Sequence, residues 1–354
     1  EQYGTMMLEP METAYNVLVT PAIKKGALDD TSIGKWTERI YTTASLRYRQ
    51  FYDGVVKGTG WPLEKVAMLD NLMEFSIFEA KTMDSFAGCT TIMSWGESSI
   101  DGNMYIGRNQ DWSESFVQFP QVLTVRIPND GSIKYACMGW PGILFPLTAV
   151  NEHGCYMDIH DGTSMGGSVV ALERIPLTSL LSDLMAESAS LKAMTHRITT
   201  YIPSTSIILS LADENGAESI ECSALAGTRL RKATSDALVV VNTFLSDAWD
   251  IGPRDSATKS YSVRYPNMQR HLENNRGKID LQKTLDLMDL KMYAADDSVL
   301  PWPEGGCTKP INQDEDVTVY QVTTNLKQRK MWLKVPVPSA FADWTEIDLN
   351  EIWN

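Results

Sequence analysis

The chain has 354 residues, and its 31 Lys and Arg against 45 Asp and Glu give a formal net charge of −14. The acidic excess would repel a phosphate backbone, which argues against nucleic-acid binding. A content of 43% apolar residues is typical of a globular protein. No apolar stretch is long enough to cross a bilayer without charged, polar or proline breaks, so no membrane span is predicted.

The cysteines give no sign of a disulfide framework. There are five, at positions 89, 137, 155, 222 and 307, and none forms a CxxC pair. Neither paired disulfides nor a cysteine-rich zinc site is favoured, and at least one thiol is expected to be free. The chain starts at Glu1 without a signal peptide. A mature exported or periplasmic form and a trimmed chain both fit this start, so the compartment stays open.

The first part of the chain is predicted to be helical. Over residues 6–80, apolar side chains recur at spacings of three and four. Thr31 or Ser32 can cap a helix that ends near Gly60, and Pro62 opens another that runs to residue 80.

After residue 88 the sequence changes to short alternating runs, separated by turn sequences such as Asp101-Gly102-Asn103. This pattern is typical of successive antiparallel hairpins. Strands are predicted over 90–95, 104–108, 122–127, 133–138, 148–151, 155–159, 207–212, 217–223, 237–242, 317–323 and 330–335. Helices are predicted over 176–201, 257–273 and 281–292. This order indicates an α+β layered fold without a linker that would separate two domains.

The stretch around Cys89 carries the most chemical information. Gly88-Cys89-Thr90-Thr91 is followed by Asp101-Gly102-Asn103-Met104-Tyr105-Ile106-Gly107-Arg108-Asn109-Gln110-Asp111-Trp112. It resembles the start of the catalytic chain in the cysteine N-terminal nucleophile (Ntn) hydrolases. That group includes choloylglycine hydrolase, penicillin V acylase and acyl-coenzyme A:isopenicillin N acyltransferase, with acid ceramidase and N-acylethanolamine amidase as more distant relatives. Their catalytic chain begins Cys-Thr, turns at Asp-Gly and continues Gly-Arg-Asn-x-Asp-aromatic.

A chain-terminal cysteine carries nucleophile and base together. Its α-amine, with an ordinary pKa of about 7.7 to 8, can take the thiol proton. We expect Arg108 to favour the thiolate and Asp111 to hold the α-amine. These side chains would lie on opposite faces of one strand, so the strand is expected to end near Asn109. A plain core cysteine beside a polar strand end is the alternative, which the joint occurrence with an Asp-Gly turn disfavours.

Further segments also resemble this family. Residues 236–244 are similar to a strand that ends in an asparagine, so Asn242 is expected to donate its side-chain amide to the oxyanion; a turn asparagine is the alternative. Residues 256–265 are similar to a serine-rich segment that supplies a second arginine, here Arg264. A solvated helix charge is the alternative for it.

Residues 150–161 resemble the family's Asn-Glu-x-Gly hairpin, which implies that a backbone N–H near Asp161 joins the oxyanion hole. The family often has Asn where this chain has Asp161. A backbone N–H is present whatever the side chain is, so this difference puts only a contribution of the side chain in doubt. Trp112 and Trp140 are candidates for an acyl or aromatic pocket, with plain packing as the alternative. Residues 318–335 look like the closing hairpin of the fold.

The resemblance implies a four-layer αββα sandwich with two antiparallel sheets, and a cut before the nucleophile. Residues 1–88 are similar to the helical propeptide of the acyltransferase and ceramidase-like branches. We expect cleavage at Gly88-Cys89, with the helical fragment staying associated with a catalytic domain of residues 89–354. The implied activity is hydrolysis of linear amide bonds in small N-acyl substrates through an acyl-thioester on Cys89, without a cofactor or metal. Acyl transfer by the same nucleophile is the alternative.

Three other interpretations compete. His153, Cys155, Asp158, His160 and Asp161 could suggest a metal site, but strand alternation divides them between two faces and no known zinc spacing fits. A papain-like Cys/His pair lacks a recognisable histidine context. The ten tryptophans could belong to an aromatic-rich binding module. Homo-oligomerisation stays open.

Overall fold

A computed structural model describes residues 1–24, 29–79, 88–255, 260–290, 316–337 and 340–353. The predictions for residues 80, 256–259 and 291–292, and that for Cys307, lie outside these ranges.

The N-terminal part is helical, as predicted. Its helices are α1 (Gln2–Leu18), α2 (Thr20–Lys24), α3 (Asp30–Thr43), α4 (Leu46–Thr59), α5 (Leu63–Asp70) and α6 (Leu72–Glu79). The single helix predicted to end near Gly60 is divided into α3 and α4. The first ends at Ala44, where the backbone becomes extended, and Ser45 caps the second by accepting a hydrogen bond from the Tyr48 N–H. Gly60 then ends α4 in the left-handed conformation, with φ of 70°.

The rest of the chain supplies the strands and the remaining helices. The strands are β1 (Cys89–Gly96), β2 (Gly102–Ser113), β3 (Val122–Arg126), β4 (Tyr135–Gly139), β5 (Thr148–Asn151), β6 (Tyr156–Asp161), β7 (Ile207–Asp213), β8 (Gly216–Ser223), β9 (Gly227–Lys232), β10 (Ala237–Val240), β11 (Asp316–Asn325), β12 (Lys330–Lys334), β13 (Pro336–Val337), β14 (Ala340–Phe341) and β15 (Thr345–Asp348). The helices are α7 (Thr163–Gly166), α8 (Leu177–Glu187), α9 (Leu191–Thr200), α10 (Tyr265–Asn274), α11 (Leu281–Met288) and α12 (Leu349–Ile352). Short 3-10 helices cover Glu114–Gln118 and Asp247–Trp249, and a π-helix covers Ser260–Arg264.

Two antiparallel sheets form the centre of the molecule. Sheet I has the order β10-β1-β2-β11-β12-β15, and sheet II has the order β3-β4-β5-β6-β7-β8-β9. Helices α10 and α11 pack on the outer face of sheet I, while α8 and α9 cover sheet II. Hydrogen bonds such as Thr91 Oγ1 to Asp158 Oδ2 join the two inner faces. The predicted α+β fold with two antiparallel sheets between helix layers is confirmed.

The N-terminal helices are attached to this sandwich by buried contacts. Asp70, at the end of α5, accepts a hydrogen bond from the Leu144 N–H at 2.6 Å. Glu74 of α6 accepts hydrogen bonds from Ser204 Oγ and, at 3.4 Å, from the Leu177 N–H. Segment 1–79 therefore shares a polar interior with the rest of the chain in addition to apolar packing.

Two further features concern membrane-spanning helices and the state of the cysteines. No described helix has the length and apolarity that a membrane crossing needs. Cys89, Cys137, Cys155 and Cys222 are all buried, unpaired thiols.

Candidate active site

Cys89 opens β1, which lies between β10 and β2 in sheet I. Its side chain faces the interior and is only 3% exposed. Burial raises the pKa of the thiol to about 12, against the attraction of the Arg108 guanidinium, while Asp111 raises it further and Arg264 lowers it. The thiol is therefore protonated at neutral pH in this environment.

Asn242, two residues after β10, contacts the main chain of Cys89. Its Oδ1 accepts a hydrogen bond from the Cys89 N–H at 2.5 Å and another from Arg264 Nη2 at 3.0 Å. Its Nδ2 donates to the carbonyl of Asp161 at 3.1 Å. The side chain thus connects β10, β1 and the end of β6.

Arg264, at the end of the π-helix, is fully buried beside Cys89 rather than on a solvated helix face. Its Nη1 donates to the Cys89 carbonyl at 2.5 Å and to Thr90 Oγ1 at 2.9 Å. The guanidinium therefore holds the first two residues of β1, and its charge favours a thiolate at Cys89.

Arg108 lies on β2, with Nη2 at 3.8 Å from Cys89 Sγ. The same nitrogen donates to the Ile159 carbonyl at 2.7 Å and to the Gln110 side chain. Its Nη1 lies 3.0 Å from Asp158 Oδ1, and both side chains are fully buried. Although burial acts to raise the pKa of Asp158, the Arg108 charge and a hydrogen bond with His160 hold it below its ordinary value. The carboxylate is thus ionised and holds the guanidinium near the thiol.

Asp111 is buried on β2, and its side chain accepts a hydrogen bond from Thr318 Oγ1 at 2.6 Å. Its main-chain N–H donates to the Gly88 carbonyl at 2.9 Å. The expectation that β2 ends near Asn109 is wrong, because the strand continues to Ser113. The irregularity lies instead in β11, where the register shifts between Thr318 and Tyr320 opposite Asp111.

Asp161 ends β6 and uses its carboxylate locally. It accepts hydrogen bonds from the Thr163 N–H at 3.0 Å and from Thr163 Oγ1 at 2.9 Å. Burial raises the pKa of this carboxyl to about 6. Its carbonyl oxygen is the group that contacts Asn242; participation of its N–H in an oxyanion hole stays a prediction.

A small pocket with a volume of about 10 Å³ lies beside the thiol. It is lined by Met73, Cys89, Gln110, Trp112, Leu147, Ile159 and Asp161. Trp112 therefore belongs to its wall. Trp140 lies behind Trp112, with ring centroids 6.0 Å apart, in an aromatic cluster with Phe116 and Tyr320. Met73 of α6 closes the pocket from the N-terminal segment.

Sequence reasoning did not assign Asp158 and His160 to the site. Both point from β6 towards sheet I, where Asp158 Oδ1 lies 2.9 Å from His160 Nε2. Asp158 also accepts hydrogen bonds from Thr91 Oγ1 at 2.8 Å and the Tyr156 hydroxyl at 2.7 Å. Strand alternation indicated a shared face for 158 and 160, but nothing local to β6 shows that Arg108 lies opposite them. Within the described ranges, no cluster of His, Cys, Asp and Glu could hold a metal ion.

Comparisons with known proteins give only weak similarities. No protein-family model matches the chain, and no curated protein matches it. Among solved structures it is similar to a Caenorhabditis elegans N-acylethanolamine-hydrolyzing acid amidase ortholog, with 16% identity and a TM-score of 0.46 over 67% of this chain and 93% of that one. It is also similar to a mutant of the conjugated bile acid hydrolase from Clostridium perfringens, with 14% identity and a TM-score of 0.49 over 74% and 93%.

A third similar structure is penicillin V acylase from Agrobacterium tumefaciens. The identity is 12% and the TM-score 0.48, over 74% of this chain and 87% of the acylase. At this level of similarity, the function has to be argued from the residues of the site.

Proposed function

We propose that the protein is a cysteine amidase or acylase of the N-terminal nucleophile type, which cuts itself at Gly88-Cys89 and then hydrolyses linear amide bonds of small N-acyl substrates. The observation that carries the proposal is the convergence of Arg108, Arg264 and Asn242 on a single buried cysteine at the start of a central strand, Arg108 on its thiol and the other two on its main chain. Two guanidiniums beside one cysteine would stabilise a thiolate or an oxyanion that forms there.

The cut would convert the Cys89 N–H into an α-amine that remains in contact with Asn242 Oδ1. This amine can take the thiol proton, and the thiolate attacks the substrate carbonyl carbon. The amine leaving group departs with a proton, and water then hydrolyses the acyl-thioester. For Asn242 to donate to the oxyanion, its Nδ2 must exchange the Asp161 carbonyl for the substrate oxygen.

The pocket walls suggest where the acyl group binds. Trp112, Leu147 and Ile159 offer an apolar surface beside the thiol. The cavity volume of about 10 Å³ is far below the roughly 300 to 1,000 Å³ of ordinary ligand pockets. Met73 must therefore move before a full acyl group can enter, and we expect self-cleavage to precede that movement.

The test uses purified protein and a panel of N-acyl compounds: penicillin V, conjugated bile acids, N-acylethanolamines and acyl-homoserine lactones. Intact mass measures the cut, and mass spectrometry of the products measures release of acid and amine. Transfer of the acyl group to an added amine, in preference to water, would indicate the acyltransferase alternative.

Two variants make this experiment decisive. Cys89→Ala should stay uncut and inactive, whereas Cys137→Ala, which removes another buried thiol in sheet II, should retain both reactions. Equal turnover by Cys89→Ala and the wild type would refute the proposed nucleophile.

A further inference from the structure

In the uncut chain, both polar groups of the peptide bond between Gly88 and Cys89 are hydrogen-bonded. Its carbonyl accepts the main-chain N–H of Asp111 at 2.9 Å. Its N–H donates to Asn242 Oδ1 at 2.5 Å. The bond that self-cleavage would break is therefore held between β2 and the segment that follows β10, with a donor at its oxygen and an acceptor at its nitrogen.

The orientation of Asn242 follows from its partners. Cys89 N–H and Arg264 Nη2 are both donors, so the atom between them must be the amide oxygen. The amide nitrogen then faces the Asp161 carbonyl, which can only accept. Towards the peptide bond before Cys89, Asn242 thus presents an acceptor and no donor.

We propose that self-cleavage and substrate turnover use different oxyanion donors: the main-chain N–H of Asp111 stabilises the oxyanion formed at Gly88, and the Asn242 amide serves substrates only. This inference rests on the proposed self-cleaving function and deepens it. The assignment gives Asp111 a role in the uncut chain that needs its backbone and not its carboxylate.

The chemical step balances without an added co-reactant other than water. Cys89 Sγ forms a bond to the Gly88 carbonyl carbon, and the π-electron pair moves onto the oxygen beside the Asp111 N–H. Collapse of this oxyanion breaks the C–N bond, and the Cys89 nitrogen takes the proton that the thiol lost. Water then hydrolyses the Gly88 thioester to a carboxylate and a free Cys89 thiol.

The position of the thiol agrees with this route. Burial raises the pKa of the Cys89 thiol to about 12, and the Asp111 N–H is among the groups that act in the opposite direction. The main chain of Asp111 therefore donates to the Gly88 oxygen and also acts on the Cys89 thiol, the two groups that react in this step.

The direct test replaces the Asp111 main-chain N–H by an ester oxygen in the full chain, using translation with an α-hydroxy acid. A matched control carries the ester at Ile106 in the same strand. Intact mass over time gives the rate of cutting, with Cys89→Ala as the uncut reference. We expect the ester at 111 to slow cutting by about 100-fold or more, as loss of an oxyanion donor does. A cutting rate for the ester at 111 that lies within about threefold of the rate for the Ile106 ester would overturn the proposal.

A second variant decides the matter even where the ester chain does not fold. Asn242→Asp keeps acceptors for Cys89 N–H and Arg264 but loses the Nδ2 donor, and its added charge acts on the thiol in both reactions. We expect turnover per cut molecule to fall at least about tenfold further than self-cleavage does; equal losses would contradict separate donors. A wild-type chain that is never cut would refute self-cleavage itself, and a cut chain without amide turnover would refute only the amidase activity.

Discussion

Arg108 of sheet I and Asp158 of sheet II form a fully buried ion pair, with Nη1 and Oδ1 3.0 Å apart. The pair joins the two sheets directly behind Cys89, since the other terminal nitrogen of Arg108 faces Cys89 Sγ. Thr91, Tyr156 and His160 supply further contacts to the carboxylate. Asp158 therefore positions Arg108, and its charge offsets the cost of burying the guanidinium.

Removing one partner of this pair should be more damaging than removing both. In a Cys89→Ala background, Arg108→Met should lower the free energy of unfolding by about 3 to 5 kcal/mol, because Asp158 is left as an uncompensated buried charge. Adding Asp158→Asn should regain at least half of that loss. Urea unfolding of the two variants and their parent measures both effects. A loss below about 1 kcal/mol for Arg108→Met would show that the pair contributes little.

Asn242 provides the sharpest test of catalysis. Asn242→Ala should lower kcat for a substrate found in the panel by about 100- to 1,000-fold, because an oxyanion donor is lost. Asn215→Ala, on the exposed turn between β7 and β8, is the matched control and should stay within about twofold of the wild type. Both rates are measured per cut molecule. A loss of less than about tenfold would count against the role of Asn242.

Much of the fold could be predicted because most elements carry a local signal. The elements that were not predicted correctly lack such a signal. Apolar periodicity continues across 176–201, yet Ser190 caps a new helix there by accepting the Ala193 N–H. Strand β9, Gly227–Lys232, was missed because basic residues alternate with a single leucine and its side chains are only partly buried. The strand is defined by pairing with β8, which a single segment does not show.

The site residues also fall into those that a local motif indicates and those that only tertiary packing brings together. Cys89, Arg108 and Asp111 could be selected from one short motif, since β1 and β2 form a local hairpin. Asp158 was placed only in a competing metal hypothesis, because its meaning depends on the packing of sheet II against sheet I. Met73 could not be found either, as its helix reaches the pocket through tertiary packing alone.

We expect contacts of Glu74 to help hold fragments 1–88 and 89–354 together after the proposed cut. Glu74 pairs with Arg39 at 3.2 Å within the N-terminal segment and accepts the Leu177 N–H and Ser204 Oγ from the other fragment. Glu74→Ala would leave these donors and the Arg39 charge unpaired in the interior. We expect the Kd of the cut fragments to rise at least about tenfold, measured by size exclusion on dilution.

The exposed Glu9 provides the control for that experiment. Glu9→Ala should leave fragment association unchanged, as its side chain lies on the solvent side of α1. Wild-type fragments that separate at micromolar concentration, or a Glu74→Ala complex as stable as the wild type, would contradict the predicted interface.

The raised pKa of the buried Asp70 carboxyl leads us to expect that stability depends on pH. Burial raises the pKa of this carboxyl to about 6, against hydrogen bonds from Tyr52, Tyr48 and the Leu144 N–H. The folded protein thus binds this proton more tightly than the unfolded chain does. The contribution to stability is complete below pH 3.8 and is lost as pH rises through about 6. At about 1.4 kcal/mol per pH unit, this carboxyl lowers the unfolding free energy by about 3 kcal/mol between pH 4 and 7.

Urea unfolding of the Cys89→Ala chain at pH 4 to 8 measures this dependence. Asp161, whose pKa is also raised to about 6, contributes with the same sign, so the effect of Asp70 is the difference in slope between parent and Asp70→Asn. The Asp70→Asn profile should be flatter over this range. Asp130→Asn is the control: hydrogen bonds from Ser132 lower the pKa of exposed Asp130 to about 2, so its contribution changes only below pH 4. Parallel profiles for Asp70→Asn and its parent would mean that Asp70 is already ionised at pH 4 in the folded protein.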